Sequence, residues 1–413
     1  MRIDLAMFKK NAINLFSLAA IQGGNALFPI LMFPYLYSVL GSVEFSLLVV
    51  SEAVMFYVLA VCLYSFDVTG VKDLIIDNNN EAEIYWTILF ARLGLLLLSA
   101  LLVLLFSFFL FPKYFTPLLV WLLFPLGMVL QSNYYFQAKE TNIAFSLWVV
   151  ISRLLACSCI YFFVNNPSDQ LMAIGLIAGS FILSGGISLI FINNSLVFKF
   201  SYIATKNIVH ILRNGFEVFL GNFSVSLFRG SNIIILSLVS TPYAVSVYSL
   251  TEKIIKSIQA LARPLNQLAY PRVIKNYEKS QNRMESFALI WKNTKPQIYL
   301  LAIFLPLLMA AFYFLITTNL WKGIDLEVLR LISFMLVVVF FGVSNYMFGT
   351  IGMNLIGEHS YYAKAIFIAG IITIVLSIIL SSLFNEAGAA FSFVFGELIL
   401  LSFFLIKYKR AFG

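Results

Sequence analysis

In the stretch 248-YSLTEKIIKSIQALARPLNQLAYPR-272, Ser249, Glu252, Lys256, Gln259, Arg263 and Asn266 recur at three- and four-residue steps. That spacing puts them on one stripe of a helix, with Lys253 beside it and mostly Leu, Ile and Ala elsewhere. Glu252 and Lys256 form an i, i+4 pair in the favourable order. Two further arginines lie on polar stripes: Arg153 with Asn142, Ser146 and Cys157, and Arg229 with Asn222 and Ser226. Arg92 follows an aromatic start at Tyr85 and Trp86, while Gln22 and Asn25 precede two prolines, Pro29 and Pro34, that would bend a helix. The acids embedded in apolar sequence are Glu52, Glu252 and Glu397, candidates for ion coupling or for balancing nearby cations. Cations outnumber acids in this set. Guanidinium forks suit phosphate oxygens bidentately, and amide and hydroxyl groups suit sugar hydroxyls, so the ligand these residues would accept combines phosphate and sugar.

Other chemistry has little support in the residues. Cys62, Cys157 and Cys159 fall in apolar runs and have only His210 and His359 to help them, so neither a zinc site nor a disulfide is expected. No Gly-Lys dipeptide occurs, which excludes a Walker A loop, and no nucleophile elbow is present. No cofactor is expected.

The elements that must position these groups are membrane spans. Of the 413 residues, 61% are hydrophobic and 11% are charged, and the mean hydropathy is +0.94. Soluble domains run near a quarter charged, so the composition predicts an integral membrane protein. Apolar runs of about 20 residues predict twelve spans, near 12–36, 44–65, 85–110, 117–137, 143–164, 171–192, 216–239, 244–268, 297–317, 329–350, 365–384 and 388–406. No cleavable signal is expected at the N-terminus.

With the N-terminus inside, eighteen Lys and Arg fall in cytoplasmic segments and three, Lys113, Lys322 and Arg330, on the other face. This asymmetry requires an even number of crossings, so the charged eighth segment must cross. It also explains the net charge of +8 as topology, without nucleic acid. A buried Arg costs at least ~3 kcal/mol, which a water-filled cavity between helices would relieve. The competing readings are an amphipathic helix lying flat in the interface for 244–268, and snorkelling to the headgroups for Arg92. Loops are short outside, whereas 193–215 and 269–296 are basic and could hold surface helices. Gly175, Gly179 and Gly186 on span six offer close helix packing, within the monomer as readily as between monomers.

A faint repeat supports two halves. The segment 22-QGGN-25 in span one answers 229-RGSN-232 in span seven, and 51-SEAV-54 answers 251-TEKI-254. The expected division is 1–200 and 201–413, with six spans each.

Four segments, 14-NLFSLAAIQGGNALFPILMFPYLYSVLGSVEFS-46, 134-YYFQAKE-140, 252-EKIIKSIQALARPLNQLAYPR-272 and 349-GTIGMNLIGEH-359, resemble the O-antigen flippase (Wzx) family. The resemblance runs over essentially the whole chain. It implies an all-α fold of two pseudo-symmetric six-helix bundles in a MATE-like, V-shaped arrangement around a central cavity. The cargo it implies is an undecaprenyl-pyrophosphate-linked oligosaccharide, moved from the cytoplasmic to the periplasmic leaflet of the bacterial inner membrane. Membrane lipids, an O-antigen polymerase and a chain-length regulator are the expected partners. Arg229, Lys256 and Arg263 match the cationic cavity residues of the family, and Arg153, Arg92 and Lys253 are candidates for the same wall. Gln22, Asn25, Asn222, Gln259 and Asn266 are the candidate sugar contacts. The acidic first-span residue of some multidrug relatives is absent, since Gln22 and Asn25 stand there.

Two alternatives remain at this point. A MATE-type exporter of organic cations predicts an acidic cavity, against the charge census. A polymerase or ligase acting on the same lipid-linked sugars predicts a large external loop, against the short external connections.

Overall fold

The computed structural model describes the backbone of residues 5–193, 196–280, 283–318 and 324–412. Side chains are described from Phe28 onward, except at 78, 142–144, 193–195, 227–229, 263–272, 275–276, 278–286, 319–323 and 410–413. The described residues are helical with no strand.

In chain order the helices are α1 (Leu5–Leu63), α2 (Phe66–Ile76), α3 (Glu81–Leu110), α4 (Pro112–Trp121), α5 (Leu123–Gln131), α6 (Asn133–Ala138), α7 (Asn142–Phe163), α8 (Gln170–Asn193), α9 (Thr205–Val239), α10 (Pro242–Ser280), α11 (Arg283–Thr317), α12 (Leu326–Met335), α13 (Val337–Asn345) and α14 (His359–Phe412). A π-helical stretch, Tyr346–Met353, follows α13. Among the described residues eight helical runs are long and apolar enough to cross a membrane, or nine if the two parts of α9 count as one span. Their outward faces are greasy. Leu97, Leu101, Phe109, Phe162 and Leu307 are exposed, as hydrocarbon-facing side chains must be.

Two of those runs contain a break that hydropathy alone could not place. In α1 the break is Gly41, at φ 71°, ψ 172°, a conformation that a Cβ would strain. Phe33 and Phe45 would stand about 18 Å apart along a straight helix. Their rings meet edge to face at 6.1 Å, so the chain folds back at Gly41. In α14 the break is Asn385, at φ 52°, ψ −128°, whose side-chain oxygen accepts a hydrogen bond from Ser240 Oγ at 2.7 Å. Both breaks fall in the predicted gaps, between 36 and 44 and between 384 and 388.

The interrupted span 112–138 has a local cause. Pro125 has no N–H to give the Trp121 carbonyl, and α4 stops at Trp121. Elsewhere the helices overrun the predicted spans. α9 begins at Thr205, and α10 and α11 extend to Ser280 and back to Arg283, turning most of the expected loop 269–296 into helix.

The chain divides into two compact units. Unit 1 comprises Met1–Phe28 and Leu47–Ser226, and unit 2 comprises Pro29–Ser46 and Leu227–Gly413. Relative to a single cut near residue 200, Pro29–Ser46 sits with the later half and 201–226 with the earlier one.

In unit 1, α8 packs on α5 and α7. The α5–α8 crossing is closest at Gly127 and Gly185. A Cβ on Gly185 would overlap the Gly127 carbonyl oxygen, and one on Gly127 would meet the Phe181 backbone. The glycines singled out in the sequence are not at this crossing. A Cβ on Gly179 or Gly186 would meet nothing within 4 Å, and one on Gly175 only Val120 Cγ1, at 3.8 Å. Spacing identifies a glycine-rich helix face, but one residue of rotation decides which glycine meets the neighbour.

Candidate functional site

α10 carries the stripe singled out in the sequence, and its mean hydropathy is too low for it to count among the apolar spans. It nevertheless packs against α11, α12, α13 and α14 inside unit 2. Ser246, Ser249, Thr251 and Glu252 are all buried, and Ser246 Oγ donates to the Ser42 carbonyl near the α1 break at 2.6 Å. Packing on four helices makes the described part of α10 a member of the unit 2 bundle, which weighs against the reading of 244–268 as a helix lying alone in the interface.

The charges on α10 are organised around Glu252. Its carboxylate is 3.0 Å from Lys256 Nζ, and it accepts a hydrogen bond from Tyr248 Oη at 3.2 Å. Tyr248 Oη in turn accepts from Asn232 Nδ2 on α9 at 3.1 Å. Relative exposure is 3% for the Glu252 side chain and 37% for Lys256, so the acid is buried and the base sits at the edge. The next polar group on the stripe, Gln259, donates from Nε2 to the Val338 carbonyl at 3.0 Å, and Gly342 leaves room for its amide. The described part of the stripe is thus turned toward the helices of unit 2, with Lys256 the partly exposed cation. Lys253, one position off the stripe, places Nζ 3.9 Å from the Phe33 ring centroid.

Several buried polar atoms near this chain make no hydrogen bond: Ser231 Oγ, Asn232 Oδ1, Ser249 Oγ and Thr251 Oγ1. Buried hydroxyls and amides in that condition are the places where ordered water is held. These atoms make a buried polar patch on α9 and α10, and no group of metal ligands occurs among the described residues.

Glu397, on the second part of α14, is also buried in unit 2. It accepts from Asn345 Nδ2 through Oε2 at 2.7 Å and through its main-chain oxygen at 3.0 Å. Asn345 is the last α-helical residue before the π-helical stretch, an irregularity that often marks functional segments.

The unit 1 candidates are arranged differently. Arg92 is 1% exposed and donates from Nη2 to Asp67 Oδ1 at 2.7 Å. Its guanidinium stacks on Tyr134, 4.7 Å from the centroid, with Phe66 at 5.7 Å. It neither snorkels nor stands open, and it joins α2, α3 and α6. Arg153 is buried, hydrogen-bonded to Ser180, and lies 3.2 Å from the Phe181 centroid. Asn222 is exposed and donates to the Tyr64 carbonyl at 3.3 Å. Glu52 is buried. Gln22, Asn25, Arg229, Arg263 and Asn266 lie outside the described side chains.

The sequence reading missed Asn232, Tyr248, Asp67 and Asn345. Tyr248 was legible, standing one turn before Glu252 on the same face. The other three come from distant chain segments, and a single sequence gives no signal for them.

A protein of Escherichia coli (strain K12) named "Putative O-antigen transporter" is 27% identical over 403 residues, 95% of each chain. One of Shigella dysenteriae with the same name is 23% identical, over 68% of this chain and 71% of its own. In fold, the chain is similar to an inward-facing multidrug resistance MATE family transporter of the MOP superfamily, with a TM-score of 0.70 at 12% identity over 96% and 98% of the two chains. It is also similar to the lipid II flippase MurJ in an inward closed conformation, with a TM-score of 0.59 at 14% identity over 97% and 87%. The fold is accordingly an all-α, MATE-like membrane architecture, as the sequence led one to expect. Residues 12–277 match the profile of the polysaccharide biosynthesis protein family, and the chain belongs to that family.

Proposed function

We propose that this chain flips undecaprenyl-pyrophosphate-linked oligosaccharide units from the cytoplasmic to the periplasmic leaflet of a bacterial inner membrane. In this reading twelve helices cross the bilayer, 1–200 and 201–413 supply six crossings each, and both termini are cytoplasmic. The observation that carries it is α10, a charged helix packed among four others in a chain whose outer surface is hydrocarbon. Charge is retained in such a place for a polar cargo, because each buried charge costs several kcal/mol and would otherwise be lost. The match over 95% of both chains to the protein named "Putative O-antigen transporter" supports the same cargo class.

The pyrophosphate and sugars enter a cationic cavity while the tail stays in lipid, and the bundles then rock to open the other face. Arg229, Arg263, Lys256 and Lys253 attract the diphosphate. Arg153 and Arg92, first counted as candidates for the same wall, are held by partners within unit 1 and brace its helices. Gln22, Asn25, Asn222, Gln259 and Asn266 serve the sugars, and Glu52, Glu252 and Glu397 balance charge or bind a coupling ion. The membrane potential contributes ~2.3 kcal/mol per charge per 100 mV, and a diphosphate carrying two charges outward gains about twice that, so transport needs no nucleotide. The units delivered would pass to a polymerase and its chain-length regulator.

A MATE-type exporter of organic cations would need an acid available to the cation. Glu252 already has Lys256 at 3.0 Å, which weakens that reading. A polymerase or ligase would need an external catalytic domain, and the described connections are short.

The test is complementation of a flippase-deficient strain carrying a defined O-unit, with a direct flipping assay. Wild type should restore polysaccharide export and clear single lipid-linked units from the inner leaflet, and Arg229→Ala and Arg263→Ala should insert normally but not transport. Full activity in both variants would refute the cationic-cavity role.

A further inference from the structure

Asn232, Tyr248, Glu252 and Lys256 form one connected group within unit 2, and its two charges are held very differently. The carboxylate is fixed. Its side chain is buried, and Tyr248 Oη donates to Oε1 at 3.2 Å. Tyr248 is itself fully buried and is held in turn by Asn232 Nδ2. The ammonium has more freedom. Lys256 ends a flexible four-carbon stem that is over a third exposed, with Nζ 3.0 Å from the same Oε1 and 5.9 Å from the Phe393 ring centroid. Tyrosine and lysine thus share one carboxylate oxygen, so Glu252 keeps a hydrogen bond when the lysine turns away. One turn earlier on the same stripe, Ser249 Oγ is buried with no hydrogen-bond partner, a second donor beside the carboxylate.

An ion pair that only stiffens a helix gains from fixing both members. Here the acid is clamped and the base is left at the edge, where it can exchange partners. Resting on the transport reading above, in which Lys256 meets the diphosphate, we propose that Glu252 is a positioning residue that stands in for the cargo's phosphate. It holds Lys256 between transport events and yields it when the diphosphate binds. Two anions then compete for one ammonium, and part of the lysine's attraction for phosphate is offset by loss of the internal pair. Binding is therefore weaker than an unpaired lysine would give, which suits a cargo that must also leave. While Lys256 is on the phosphate, Tyr248 and Ser249 keep the buried carboxylate hydrogen-bonded; on release the lysine returns.

The test uses the full-length chain in phosphatidylethanolamine nanodiscs, titrated with inorganic pyrophosphate, and polysaccharide export in the complemented strain as a second readout. Glu252→Gln should bind pyrophosphate about tenfold tighter and export more slowly, because release is impeded. Glu252→Asp, which keeps the charge, should stay near wild type in both. Lys256→Met should bind about tenfold more weakly, and adding Glu252→Gln to it should change nothing further. Unchanged or weaker binding in a folded Glu252→Gln overturns the proposal, as does the same tightening in the Lys256→Met background. If Glu252→Gln does not fold, Tyr248→Phe decides. It removes the hydrogen bond that lets Glu252 do without the lysine, so it should weaken pyrophosphate binding about threefold, and wild-type or tighter binding overturns the proposal. No binding by the wild type, or wild-type affinity in Lys256→Met, would take Lys256 out of the diphosphate site and overturn both this inference and that part of the transport reading. Weakened Lys256→Met with unchanged Glu252→Gln overturns this inference alone, and all the expected shifts in a chain that does not complement overturn the transport reading alone.

Discussion

Replacing Lys256 with methionine keeps the apolar stem of the side chain and removes its charge, leaving the Glu252 carboxylate buried without its 3.0 Å partner. Exposed ion pairs are worth ~0.2–1 kcal/mol, while removing one member of a fully buried pair costs ~3–5 kcal/mol. Here the acid is 3% exposed and the base 37%, so water reaches one side and the expected loss falls between, at about 2 kcal/mol. Glu252→Gln should cost less, about 1 kcal/mol, because Lys256 can turn to solvent and the amide oxygen can still accept from Tyr248. The double variant should then sit near Glu252→Gln and not at the sum, giving a coupling of about 1–2 kcal/mol. The assay is the monodisperse fraction remaining after heating in detergent, where about 2 kcal/mol corresponds to roughly 4–8 °C for a unit of this size. If Lys256→Met melts with the wild type, or if the double variant loses the full sum, the pair does not stabilise α10 and the argument fails.

Three other outcomes follow from the same structure and are read in the same way. Asp67→Asn leaves a nearly fully buried guanidinium and should cost about 2–3 kcal/mol, whereas Arg92→Met returns Asp67 to water and should cost about 1 kcal/mol; the reverse order would show that Arg92 is not held by this ion pair. Gly185→Ala would drive a methyl into the Gly127 carbonyl and should lower the yield of folded protein severely, while Gly179→Ala, with open space around it, should express normally. Asn345→Ala removes the amide that meets buried Glu397 at 2.7 Å and should destabilise unit 2 by about 1–3 kcal/mol, measured as faster hydrogen exchange across 337–353; unchanged exchange would remove the case for that contact.

The helical, span-rich character of the chain was legible because hydropathy is a local quantity that the bilayer reads directly. The gaps between spans one and two and between eleven and twelve are where Gly41 and Asn385 break the helices. The crossing of α10 was argued from charge asymmetry alone, against its own hydropathy, and what the structure adds is that the helix packs on four others in unit 2. Helix ends were less legible. α9, α10 and α11 extend as basic, amphipathic helix beyond the apolar spans, because helix formation does not stop where hydrocarbon does.

The sequence by itself determined the class of molecule, the helices and the polar stripe from Ser249 to Gln259, since these depend on composition and on a period of 3.6. Tertiary structure alone decided what each charge does. Arg92 is tied to Asp67, Arg153 to Ser180 and Phe181, and Glu252 to Lys256, Tyr248 and Asn232, in part through residues 25, 27 and 20 positions away in the chain. A buried charge must find a partner wherever the packing brings one, and packing is not written in the periodicity of a single helix.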